Sequence, residues 1–215
     1  MKLENTKANF LKKTLILTLL VSGAAFAQTY PDRNIKILQG FAPGGNADAI
    51  ARAVGSEISK SVGQSVVVEA QAGAGGTIAA TTVAKAKPDG YTLLLATGGH
   101  AVAGAIYNNL NYKTVQDFEM VSTITYFPFL IVINAENKIA NFPALLTQAK
   151  ANPGKIAYGT AGIGSTHHLA GELLASMAKV DLLHVPYRGD AGSITALLAG
   201  DVPFILAPPT AVINN

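Results

Sequence analysis

The stretch NIKILQGFAPGGNADAIARAV, residues 34–54, decides how this chain folds. Residues 34–39 read as a strand. Residues 48–61 read as a helix, because Ile50, Ala51, Val54 and Ile58 return to one face at spacings of three and four. Between them Gly44 and Gly45 permit a sharp bend and close approach of backbone to a ligand. Asn46 or Asp48 is placed to cap the helix, whose first amides carry partial positive charge. A phosphate loop needs G-x-x-x-x-G-K-[ST] and a dinucleotide loop needs G-x-G-x-x-G; the bend matches neither. A ligand-free capped turn and a site for a small anion both satisfy the pattern.

Working outward, the same alternation continues. Strands are expected at 65–69, 91–96, 118–125, 129–134, 155–159, 182–185 and 202–206. Helices are expected at 77–85, after Asn141-Phe142-Pro143 (a cap, then proline in the first turn), and at 165–179 and 191–198. Strands joined by helices imply an α/β fold with mostly parallel sheets covered on both faces. The break at Tyr126-Phe127-Pro128 divides the chain into an α/β lobe over 28–125 and a second over 126–215. Few residues follow the last strand, so the C-terminal part of the fold is expected to be missing.

Residues 1–27 read as a signal peptide. Lys2, Lys7, Lys12 and Lys13 precede a short apolar run, and Ala25-Phe26-Ala27 is a small-x-small cleavage pattern. The run is shorter than the roughly 20 residues that span a bilayer. Exported protein should therefore begin at Gln28; an intact mass that retains residues 1–27 would refute this. Removing those four lysines and Glu4 from 16 basic and 13 acidic residues leaves 12 of each. The net charge of +3 thus belongs to the leader, and the remainder has no basic stripe for nucleic acid. The chain has no cysteine, which excludes disulfides, thiolate metal sites, thiol nucleophiles and a lipid-attachment cysteine. A periplasmic, untethered protein is expected.

A second glycine-rich turn, Thr160-Ala161-Gly162-Ile163-Gly164-Ser165-Thr166-His167-His168, follows a strand and opens a helix. Two such turns, one per lobe, suggest a cleft with donors on both walls. Three or four charge-assisted hydrogen bonds of about 1.5–3 kcal/mol each would hold a carboxylate without a cationic side chain. His167 and His168 point about 100° apart on a helix and do not suit one metal ion. His168 and Glu172, at i and i+4, supply too few ligands; a hydrogen-bonded histidine at a helix start fits better. Ser165 lies in G-I-G-S-T rather than G-x-S-x-G, although His100 or His184 could serve it as a distant partner in a periplasmic hydrolase. The bend Ala72-Gly73-Ala74-Gly75-Gly76 suits loop packing as well as ligand contact. Thr97-Gly98-Gly99-His100 lies at a strand end, where open α/β sheets place ligands. Arg188 is equally suited to a second carboxylate and to Asp190 or Asp201.

Taken together, YPDRNIKILQGFAPGGNADAIAR, EAQAGAGGTIAA, KPDGYTLLLAT, GIGSTHHLAGELL and HVPYRGDAGSITALLAGDV resemble the Bug/TctC family, periplasmic solute-binding proteins of tripartite tricarboxylate transporters. The resemblance implies a two-lobed periplasmic-binding-protein fold that closes on a small carboxylated solute, held largely by backbone amides and waters. It implies Gly44, Gly45, Asn46, Ala47 and Asp48 on one wall, with Thr97 nearby. Gly162, Gly164, Ser165 and Thr166 fall on the other wall, with His168 bracing the loop. It further implies a monomer without cofactor or metal that serves inner-membrane permease subunits, or, with the same binding chemistry, a membrane receptor kinase. Ala72 stands where the family usually has proline, and 203–209 depart from its usual polar pattern. Family members also run past Asn215 to complete the first lobe.

Overall fold

Two sheets organise the protein. The structure is a computed structural model that describes residues 30–213; the expected leader lies outside them. Every element below belongs to one compact unit that begins at Arg33. The first sheet is parallel, in the order β2-β1-β3, from Ile35–Gln39 (β1), Val66–Ala70 (β2) and Thr92–Leu95 (β3). Helices Asn46–Val62 (α1), Thr77–Ala84 (α2) and Gly98–Ile106 (α3) follow the three strands in turn. Ile35, Ile37 and Leu38 are buried with Ala51, Ala79 and Ala80, whose small side chains let helices lie close on the sheet.

The second sheet has the order β4-β7-β5-β6. Its strands are Leu130–Ile133 (β4), Ala157–Thr160 (β5), Leu183–Pro186 (β6) and Phe204–Ala207 (β7); β4 runs antiparallel to β7, and the other pairings are parallel. Helices Phe142–Ala151 (α4), Thr166–Ala178 (α5), Asp190–Ala199 (α6) and Pro209–Val212 (α7) complete the chain. β7 is buried throughout, and its period of two sorts the core. Phe204 and Leu206 join Tyr158, Leu145 and Ile139 on one face, while Ile205 and Ala207 join Ala196, Leu197 and Val202 on the other.

Four expectations are corrected. Residues 118–125 form no strand: residues 118–129 have no ladder partner among the described residues, and Val121 and Tyr126 are 84% and 92% exposed. Without cross-strand hydrogen bonds an alternating sequence cannot be a strand. Helix α3 was not expected, since its glycine-rich start is a poor helix former; burial of Gly99 and Ala103 holds it. The short helix α7 was also not expected. At α1, neither Asn46 nor Asp48 is the N-cap: Gly45 takes that position without a side-chain bond.

Candidate functional site

Turns leaving the C-terminal ends of both sheets face one another around a cavity of about 530 Å³. The first wall is the turn after β1 (Gly40, Phe41) and the turn after β2 (residues 72–75). The second is the turn after β5 (residues 161–163) and the end of β6 with its turn (residues 186–188). A crevice at carboxyl strand ends is where α/β sheets hold ligands, and this volume suits a small molecule. Arg188 is the only charged residue among those lining it. No ion pair to Arg188 forms among the described residues, so neither Asp190 nor Asp201 neutralises it. The amides of Ile163 and Arg188 likewise have no acceptor among the described residues.

The walls meet along a seam of glycines. A β-carbon on Gly75 would lie 2.9 Å from the Ile163 carbonyl oxygen, and one on Gly99 would lie 2.8 Å from that of Gly164. Gly164 itself has φ +75°, and a β-carbon there would lie 2.5 Å from the Tyr107 hydroxyl. Two hydrogen bonds close the seam: Tyr107 Oη donates to the Ile163 carbonyl at 3.0 Å, and the Gly99 amide donates to Thr166 Oγ1 at 3.0 Å.

The second-wall turn rests on a polar scaffold. Ser165 caps α5 by accepting from the His168 amide (3.3 Å), and its hydroxyl donates to the Gly162 carbonyl (2.6 Å). Thr160 Oγ1 accepts from the Gly162 amide and contacts His184 Nε2 at 2.6 Å. His168 Nδ1 accepts from the Gly164 amide at 3.3 Å, which requires that nitrogen to be unprotonated. The rings of His168 and His184 stack at 4.0 Å, and Glu172 takes the Tyr158 hydroxyl at 2.7 Å while lying 3.7 Å from His168 Nε2.

Burial above all pushes the His184 imidazole down from 6.5 to about 4. In this window the unfolded chain binds a proton that the folded one refuses. His184 therefore leaves stability intact above about pH 6.5 and removes it progressively as pH falls towards 4. Allowing for partial exposure, the loss is about 1–2 kcal/mol. Denaturant unfolding at pH 7, 5.5 and 4 should show that slope, and His184→Gln should flatten it.

Of the residues expected at the site, only Gly162 lines the cavity. Gly164, Ser165, Thr166 and His168 build the scaffold and seam around it, and Thr97 takes the N-cap position of α3 without a side-chain cap bond. Gly44, Gly45, Asn46, Ala47 and Asp48 do not line it, and the amides of Gly44 and Asn46 are engaged by carboxylates of the protein. Asp48 Oδ2 accepts from the Gly44 amide (3.1 Å) and from Arg52 Nε (2.9 Å), and Asp190 Oδ2 accepts from the Asn46 amide (2.8 Å). Residues 72–75 supply the first wall instead. Gly40, Phe41, Ala161, Ile163, Pro186 and Tyr187, which were not named as contacts, also line it; their position at or just beyond strand ends was the available signal. No histidine nitrogen bonds Ser165 Oγ, which is fully buried as a helix cap. Nothing in this arrangement supports a hydrolase.

Two α/β sheets with a cavity between their turns define a periplasmic-binding-protein fold. The family described as "Tripartite tricarboxylate transporter family receptor" matches residues 50–214, and the chain belongs to that family. Among relatives, the UPF0065 protein in the tcbD-tcbE intergenic region of Pseudomonas sp. (strain P51) is 38% identical over 201 residues, covering 94% of this chain and 60% of the relative. BugT of Bordetella pertussis is 35% identical over 202 residues, 93% of this chain and 62% of BugT. The chain thus spans about three-fifths of the length of these relatives. Rpa4515 of R. palustris with adipate has a TM-score of 0.80 at 33% identity, covering 85% of this chain and 61% of that one. MatC from Rhodopseudomonas palustris with bound malate has a TM-score of 0.79 at 32% identity, covering 86% and 63%. No helix among the described residues is long and apolar enough to cross a membrane.

Proposed function

We propose that this chain is a non-enzymatic periplasmic receptor that captures a small di- or tricarboxylate, or an amino acid, for permease subunits of a tripartite transporter. The observation that carries the reading is a cavity between opposed turns whose only charged lining residue is Arg188, which has no ion pair among the described residues. The unengaged amides of Ile163 and Arg188 add donors suited to a carboxylate. Structural neighbours that hold adipate and malate support the same chemistry. In this reading Arg188, Gly162 and residues 72–75 contact the acid. Gly164, Ser165, Thr166 and His168 shape the turn behind them.

Capture requires only that the closed arrangement bind solute more tightly than the open one. Two lobes divided near Tyr126-Phe127-Pro128 would supply that motion, in a monomer without cofactor, once residues 1–27 are removed. Calorimetry of the exported chain against C4–C6 dicarboxylates, tricarboxylates and acidic amino acids is the test. Saturable heat for at least one acid is expected, with no turnover of the ligand. Silence across the panel would defeat the reading.

A further inference from the structure

The bend between β1 and α1 has the form of an anion site, and its anion is already present. Asp190 opens α6 on the second sheet, yet its carboxylate reaches the first turn of α1 on the first. Its Oδ2 accepts from the Asn46 amide at 2.8 Å, and its Oδ1 lies 2.7 Å from His167 Nε2. Asp190 is 5% exposed and His167 8%, and the edge of Phe129 closes over the imidazole with ring centroids 4.6 Å apart. Approach this close needs a residue without a side chain opposite: a β-carbon on Gly45 would lie 3.0 Å from Asp190 Oδ2. Thr210 at the start of α7 also donates to Asn46 Oδ1, so the same residue is gripped twice from the second sheet. Burial alone raises a carboxyl pKa; His167 and the Asn46 amide overcome this and hold Asp190 below the usual carboxylate range.

We propose that Asp190 is an internal anion that occupies the N-terminus of α1 and thereby sets the spacing between the two walls of the cavity. It is a positioning residue: it does not line the cavity, and it takes the Asn46 amide of the α1 N-terminus. A carboxylate facing helix amides and a histidine in a dry joint has no replacement from water, so its loss frees the walls to separate.

The test uses the absence of native cysteine. Nitroxides are placed through Ser56→Cys on α1 and Met177→Cys on α5, both exposed, and the distance between them is measured by pulsed electron resonance. Asp190→Ala should lengthen and broaden the distances. Formate at about 100 mM should restore them by entering the vacated position, whereas chloride at equal ionic strength should not, and wild type should ignore both. An unaltered distribution in Asp190→Ala, or equal responses to formate and chloride, would overturn the proposal. Should Asp190→Ala fail to fold, hydrogen exchange of the Asn46 amide in Asp190→Asn decides: at least tenfold faster exchange is expected, and unchanged protection overturns it. No solute enters these measurements, so their failure would leave carboxylate capture standing, and a silent calorimetric panel would leave the joint standing.

Discussion

Gly164→Ala should cost about 2–3 kcal/mol of stability and at least tenfold in solute affinity. Two penalties combine. An alanine at φ +75° is strained, by about 1 kcal/mol. Its methyl would also sit 2.5 Å from the Tyr107 hydroxyl, which must then leave the Ile163 carbonyl and open the seam beside the cavity. Gly63→Ala separates the two effects. Gly63 ends α1 with φ +70° and has nothing within 4 Å of its would-be β-carbon. It should lose only the backbone share, about 1 kcal/mol, and bind solute normally. Adding Tyr107→Leu to Gly164→Ala should recover part of the affinity by making room. Chemical denaturation and calorimetry on the three variants and wild type measure both quantities, and equal losses at Gly63 and Gly164 would show that the seam is irrelevant.

Arg188→Gln should weaken binding of the preferred acid about 10–100-fold. A charge-assisted hydrogen bond to a carboxylate is worth about 1.5–3 kcal/mol, and no acidic side chain among the described residues pairs with the guanidinium. Arg188→Lys should recover the charge but not the planar two-pronged geometry, and fall between the two. Because Arg188 is exposed, wild-type affinity should decline as salt is raised, and that decline should disappear in Arg188→Gln. Titrations at two ionic strengths are sufficient; an Arg188→Gln affinity within twofold of wild type would place the solute elsewhere.

Most of the fold was legible because glycine and proline punctuate it. The strand–bend–helix of residues 34–54 was recognised within a few residues, and so was α4, whose Asn141 side chain accepts from the Ala144 amide as its position implied. Where reading failed, the deciding contacts were distant. Residues 118–125 have a strand's pattern but no neighbour to pair with, and pattern cannot report a partner. Helix α3 begins Gly98-Gly99-His100, and only packing against the Gly164–Thr166 turn makes it favourable. The site divided in the same way. The turn after β5 is braced by residues within it and by His184, close enough in sequence to be suspected. At the first bend, by contrast, the sequence suggested a site for a small anion, and the carboxylate found on its Asn46 amide is a side chain 144 residues away. Local pattern can describe a socket; it cannot say whether the chain itself supplies the plug.

Nearly every group lining the cavity belongs to a short turn beyond a strand end, with Pro186 the one strand residue among them. The sheets therefore act as a mount, and on the proposed reading selectivity lies in a few peptide units outside them. Edits of one or two residues at 72–75 or 186–188 should then change which acid is preferred while leaving both cores in place. One chassis of this kind is able to supply a cell with a whole set of differently tuned scavengers.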